Sequence, residues 1–151
     1  MADRAESLVV DASVAAKWHL TDEEYTGQAE LLLTSFSTGR LQLMAPDHIR
    51  YEVPSAINAA TLGRTPRLTE EQGQEAIEEF LRLRIPTVGD DRLILDAYRL
   101  SHQHRCAFYD ALYLALAQQL RIHLVTADAR LYQRIRHLGT VDWLEDYSPA
   151  T

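Results

Sequence analysis

A single cysteine, Cys106, rules out an intrachain disulfide, so the chain reads as one suited to a reducing cytosol. Cys106 lies beside Ala107 and Phe108, which makes it a packed small residue rather than a nucleophile. Positive charge is short too: 22 acidic residues outnumber 15 basic ones, the net charge is −7, and Lys17 is the only lysine. Such a surface excludes a nonspecific nucleic-acid coat, because phosphate neutralisation needs positive charge. It leaves catalysis open, since a cation held by carboxylates would be the largest local charge. No apolar run approaches the roughly 18 residues of a membrane helix, so no membrane association is expected. The opening MADRAES is polar and acidic without an apolar signal region, so a cytoplasmic protein is expected. With 6 glycines, 5 prolines and no low-complexity stretch, nothing resembles a linker. One domain over 1–151 is expected, with 1–7 and 145–151 as terminal tails. The nucleotide loops G-x-x-x-x-G-K-[ST] and G-x-G-x-x-G are absent, as is the G-x-S-x-G of serine hydrolases.

Short apolar runs alternate with helical periodicity, the pattern of an α/β fold. Strands are predicted in SLVVDAS, LQLMAP, PTVG, RIHLVT and VDWL. A helix over 23–36 puts Tyr25, Ala29, Leu32, Leu33 and Phe36 on one stripe. Asp47 is expected to cap a helix running to Gly63. Thr69 and Gln72 have the spacing of a capping box for a helix through Arg84. A helix over 90–104 follows, with acids in its first turn, where the helix dipole favours them. The segment FYDALYLALAQQL is apolar on nearly every face, which suits a buried helix or an oligomer contact. A last helix runs over DARLYQRIRHLG. Regular short crossovers favour a mostly parallel central sheet with helices on both faces.

In such a sheet, sites form at the carboxyl ends of the strands. Asp11 ends the first predicted strand and Asp128 follows the strand in RIHLVTAD. Asp110 opens the buried helix, and Glu52 lies early in the helix after LQLMAP. Four acids from four elements thus head toward one edge. Hard cations such as Mg²⁺ and Mn²⁺ prefer oxygen ligands of this type. Without a cation the cluster repels itself, and at least one carboxyl should be raised. Each aspartate has a second reading as a plain helix cap, and Glu52 a second reading as a solvated helix residue. Ser13 and Thr126 read either as hydroxyls supporting the carboxylates or as turn residues. His102 and His104 are two apart and make a poor metal pair on a helix. His19, His48, His123 and His137 have no partner at a ligand spacing. Arg50, Arg64, Arg67, Arg92, Arg130 and Arg134 read as a solvated surface that could touch phosphate.

The ordered segments VVDASV, YEVPSAI, YDALYLALA and LVTADARL resemble the signature of PIN-domain ribonucleases, most closely the VapC-type toxins of toxin–antitoxin pairs. The likeness runs from about Leu8 to Leu138. It implies a Rossmann-like parallel sheet, endoribonuclease activity dependent on Mg²⁺ or Mn²⁺, a homodimer and a small antitoxin protein that blocks the cleft. By resemblance, Asp11 and Asp110 would be the principal metal ligands. Glu52 would complete the cluster through water, and Asp128 would be the fourth acid. Thr126 and Ser13 would match the family's supporting hydroxyl positions. The nucleophile would be a metal-activated water acting on RNA, with no covalent enzyme intermediate.

Pro54, two residues after Glu52, disturbs this picture, because an interior proline costs roughly 3 kcal/mol. Either the helix bends there, or it starts near Val53 with Pro54 in its first turn. Two other phosphoryl-transfer classes fit poorly. Ala12 and Ser13 follow Asp11, so the D-x-D of haloacid-dehalogenase-like phosphatases is missing, and the late lysine of response-regulator receivers is absent. A catalytically silent PIN-like RNA- or protein-binding module is the remaining alternative.

Overall fold

Continuous apolar runs decide where the sheet lies. In the computed structural model, which describes residues 5–149, β1 (Glu6–Val10), β2 (Leu41–Pro46), β3 (Thr87–Val88), β4 (His123–Thr126) and β5 (Val141–Trp143) form it. All neighbours pair parallel, in the order β3-β2-β1-β4-β5. Leu8, Val9 and Val10 are all buried although they point alternately to opposite faces, as a central strand covered on both sides requires. Val10 is paired with Val125. The next residues, Asp11 just past β1 and Thr126 at the end of β4, therefore stand level at the carboxyl edge of the sheet.

The chain builds outward from β1 to β3, then returns to add β4 and β5 on the other side of β1. Right-handed crossovers in both directions put helices on both faces. α1 (Ala12–Ala15), α2 (Thr26–Ser37), α3 (Ile49–Ala60) and α4 (Glu70–Arg82) belong to the first direction. α5 (Asp91–His104), α6 (Phe108–Leu120) and α7 (Ala129–Ile135) belong to the second. The strand order reverses between β1 and β4, where a crevice opens beyond the carboxyl ends.

α6 packs on β1, β2 and β4 and against α5. Every residue from Ala111 to Ala117 is buried. Its apolar faces are thus consumed inside the chain, and this stretch offers no free surface to a second copy.

Several boundaries differ from the sequence expectation, each for a local reason. β1 starts at Glu6, because Glu6 and Ser7 already pair with Leu41 and Gln42. The expected amino-terminal tail is therefore shorter than 1–7, and residues 1–4 lie outside the described residues, as do 150–151. At the other end, Leu144–Asp146 form a 3₁₀ turn and Tyr147 packs against the core, so the expected tail from 145 also starts too early. α2 begins at Thr26 because Tyr25 sits in the left-handed region at φ 60°. β4 begins at His123 because Arg121, at φ 55°, closes α6.

Asp47 does not cap α3: the capping position is His48, which makes no side-chain cap bond. That helix ends at Ala60, not at Gly63, and it runs through Pro54 from a start at Ile49. The reading with a start near Val53 is thereby excluded. The capping box is present as expected: Thr69 Oγ1 accepts from Gln72 N at 3.1 Å, and Gln72 Oε1 accepts from Thr69 N at 2.9 Å. Thr69→Ala should cost about 1 kcal/mol, read as a lower denaturant midpoint with an unchanged m-value.

Candidate functional site

The site grows from Asp11, which β1 delivers to the crevice with only 4% exposure. Its Oδ1 accepts from Ser13 Oγ at 2.6 Å and from Val14 N at 3.2 Å. Its Oδ2 accepts from Thr126 Oγ1 at 2.5 Å. Asp11 is therefore both a cap for α1 and a buried carboxylate held by two hydroxyls. Burial pushes it up to about 6, against the hydrogen bonds from Ser13, Thr126 and Val14 that favour its charged form. The negative charge of Asp110 adds to the rise.

The two hydroxyls also fasten the loop after β4. Ser13 Oγ accepts from Ala127 N at 2.9 Å, and Thr126 Oγ1 accepts from Asp128 N at 3.1 Å. Asp128 caps α7, its Oδ1 accepting from Arg130 N at 2.9 Å and from Leu131 N at 3.1 Å. The cap reading of Asp128 is thus realised, and Oδ2 is left over.

Glu52 sits on the first turn of α3. Its Oε1 accepts from Tyr113 Oη at 2.8 Å and lies 2.8 Å from His48 Nε2. The contact with His48 is close but lacks the alignment of a hydrogen bond. Burial raises the Glu52 carboxyl, but the His48 and Tyr113 contacts outweigh it and hold the group below its ordinary value. Neither partner was visible by motif. His48 and Glu52 do stand at the i, i+4 spacing of a helical ion pair, a signal that could have found them. Nothing in the sequence pairs Glu52 with Tyr113, 61 residues away.

Asp110, on the first turn of α6, is different. Among the described residues its carboxylate has no hydrogen-bond or ion-pair partner. It is pushed up to about 6 by burial first, then by the charges of Asp128 and Glu52, with His48 opposing. Asp110 thus feels the negative charge of Asp128 and Glu52, while those two and Asp11 are tied down by their own donors. That division also limits convergence: among the described residues no three His, Cys, Asp or Glu side chains are arranged to hold one ion as they stand.

The remaining candidates disperse. Arg67 forks onto Asp22 and also meets Glu23, and Arg92 lies 3.8 Å from Asp96. His123 pairs with Asp142. Burial, then Asp110, pushes the Cys106 thiol up, opposite to the activation a nucleophile needs.

A five-stranded parallel sheet with helices on both faces defines a Rossmann-like α/β protein. The PIN domain pattern matches residues 8–137, and the chain belongs to that family. It is 31% identical over 137 residues to Ribonuclease VapC3 of Pyrobaculum aerophilum, spanning 88% of this chain and 98% of the relative. It is 34% identical over 127 residues to Ribonuclease VapC9 of Mycobacterium tuberculosis, spanning 82% and 87%. The crystal structure of PAE2754 from Pyrobaculum aerophilum shares the fold at a TM-score of 0.66 and 20% identity, covering 94% of this chain and 93% of that one. So does Mycobacterium tuberculosis VapC20, a sarcin–ricin loop cleaving toxin, at 0.60 and 18%, covering 83% and 93%.

The raised carboxyls have a stability consequence. Between the ordinary value of 3.8 and about 6, the folded chain holds more protons than the unfolded one. Stability therefore falls as pH rises through that window, and the loss is complete above the folded value. Asp110→Asn should raise stability at pH 7 without divalent cation by roughly 1 kcal/mol, allowing for solvent screening. The gain should vanish near pH 4. Thermal melts in EDTA at both pH values check this; equal melting at pH 7 would mean that Asp110 is not strained by its neighbours.

Proposed function

We propose that this chain is an Mg²⁺- or Mn²⁺-dependent endoribonuclease, the toxin of a toxin–antitoxin pair. The observation that carries the reading is Asp110: a half-buried carboxylate with no partner among the described residues, raised first by burial and then by the charges of Asp128 and Glu52. Such a group is short of one thing, a nearby positive charge. The relatives named ribonucleases supply the substrate class. A cognate antitoxin protein, a homodimer and a cytoplasmic location belong to the same reading; among the described residues no helix is long and apolar enough to cross a membrane.

The donor set fits a hard cation. Asp110 has both oxygens free of protein partners, Glu52 keeps Oε2 and Asp128 keeps Oδ2. Asp11 Oδ2 accepts one bond and retains a second lone pair. Asp11 and Asp110 are the principal ligands in this reading, with Glu52 and Asp128 completing the cluster. When bound, the cation supplies positive charge at a phosphodiester oxygen and acidity for a water.

The chain's own residues do the holding. Ser13 and Thr126 orient Asp11 from behind, and Tyr113 and His48 orient Glu52. The hydrogen bonds to Asp11 and the two contacts to Glu52 favour their ionised forms, which cation binding requires. The reaction is a hydrolysis: water oxygen joins phosphorus, the bond to the leaving ribose oxygen breaks, and that oxygen takes a proton. No enzyme side chain becomes covalently attached.

Incubating the protein with a structured RNA pool in Mg²⁺ or Mn²⁺ tests this reading. Cleavage should occur, stop with EDTA, and fall at least ~100-fold in Asp110→Asn, the scale expected when a charge-stabilising group is lost. Millimolar Mn²⁺ should also raise the melting temperature of the wild-type chain, and less so that of Asp110→Asn. Cleavage that persists in Asp110→Asn would remove the assignment of that residue. Neither cleavage nor a Mn²⁺-dependent shift would leave the silent binding module as the better account.

A further inference from the structure

Tyr109 precedes Asp110 on the first turn of α6 and is 59% exposed. Its ring is nevertheless held in place. It stacks on the His48 ring with centroids 5.4 Å apart and planes 21° from parallel. Phe108 abuts it at 5.9 Å. His48 is itself wedged against the buried Tyr113 ring at 4.6 Å and touches Glu52 at 2.8 Å. A fixed, solvent-facing aromatic surface thus stands next to the carboxylates, backed by the same histidine that orients one of them. Tyr51, the neighbour of Glu52 in the chain, is 76% exposed.

The charge balance says what such a surface is for. The chain carries a net charge of −7, and the cleft itself is acidic. Net charge thus does not draw a polyanion to it, and Arg67 is already engaged by Asp22 and Glu23. Stacking on an aromatic ring needs no positive charge, and every base has a π-face. It does need a base that is free of its own stack, as in a loop, bulge or single strand.

We propose that Tyr109, backed by His48, is the stacking platform for an unpaired base of the RNA beside the cut phosphate. This rests on the ribonuclease reading and adds to it the contact that holds the substrate.

The test compares binding of a short unstructured RNA pool with binding of a base-free ribose-phosphate chain of equal length, over a NaCl series. The full chain carries Asp110→Asn so that nothing is cut. Adding Tyr109→Ala should weaken RNA binding by roughly 5- to 100-fold, and Tyr109→Trp should restore it. Binding of the base-free chain should not change. The slope of log Kd against log salt should also stay constant, because no phosphate contact is lost. A changed slope, an equal loss on the base-free chain, or no recovery in the Trp variant would overturn the proposal. Sedimentation adds one more outcome: if Tyr109→Ala turns a dimer into monomers, the ring is a contact between copies of this chain and the proposal falls. Failure of the wild-type chain to cut RNA would remove the ribonuclease reading itself. Cutting by wild type, with binding unchanged in Tyr109→Ala, would remove only the platform.

Discussion

The bond from Thr126 Oγ1 to Asp11 Oδ2, 2.5 Å long, joins the ends of two adjacent strands whose residues stand 115 positions apart. The pairing of Val10 with Val125 brings those two residues level. From this bond the rest of the cleft follows. Thr126 also accepts from Asp128 N, and Ser13, bonded to Asp11, accepts from Ala127 N. The loop after β1 and the loop after β4 are thereby laced together by two hydroxyls. A buried carboxylate without such donors would face the full cost of desolvation. With them it stays in place at the bottom of the crevice, and its position sets that of Asp128 and the start of α7.

Built on that anchor is a deliberate imbalance of charge. Three acids have donors: Asp11 its hydroxyls, Glu52 its tyrosine, Asp128 two backbone amides. Asp110 has none among the described residues, and its rise to about 6 comes from burial first and then from the charges of Asp128 and Glu52. Local destabilisation of this kind persists where the surrounding fold over-determines the geometry. Here the fully buried run Ala111–Ala117 supplies that rigidity. α6 cannot swing Asp110 away from its neighbours without emptying the core beneath it.

The aromatic layer ties the cleft to its surface. His48 lies between a buried tyrosine and an exposed one, and it contacts Glu52. Whatever rests on Tyr109 is thus mechanically close to the orientation of a carboxylate. Pro54 left the direction of Glu52 open in the sequence. α3 begins early enough that Glu52 lies in its first turn, ahead of the proline. The backbone bond that Pro54 cannot make would have ended on the carbonyl of Arg50, in that same turn.

The sequence by itself determined the fold class, the order of the elements and the capping box at Thr69, and it singled out four acids as candidates. Each of these rests on local chemistry: periodicity, strand-end position, residue type and, for the family, ordered short motifs. Boundaries set by single backbone conformations, such as the left-handed Tyr25 and Arg121, were not legible, because residues other than glycine give little sign of adopting them. The partners of the acids were decided only by the tertiary structure. Tyr113 reaches Glu52 across 61 residues because α6 lies against the first turn of α3. Which acid stays unpartnered was likewise beyond reading, since Asp11, Asp110 and Asp128 all open helices and look alike as caps. Hydrogen-bond supply from neighbouring elements, a property of packing alone, separates Asp110 from the rest.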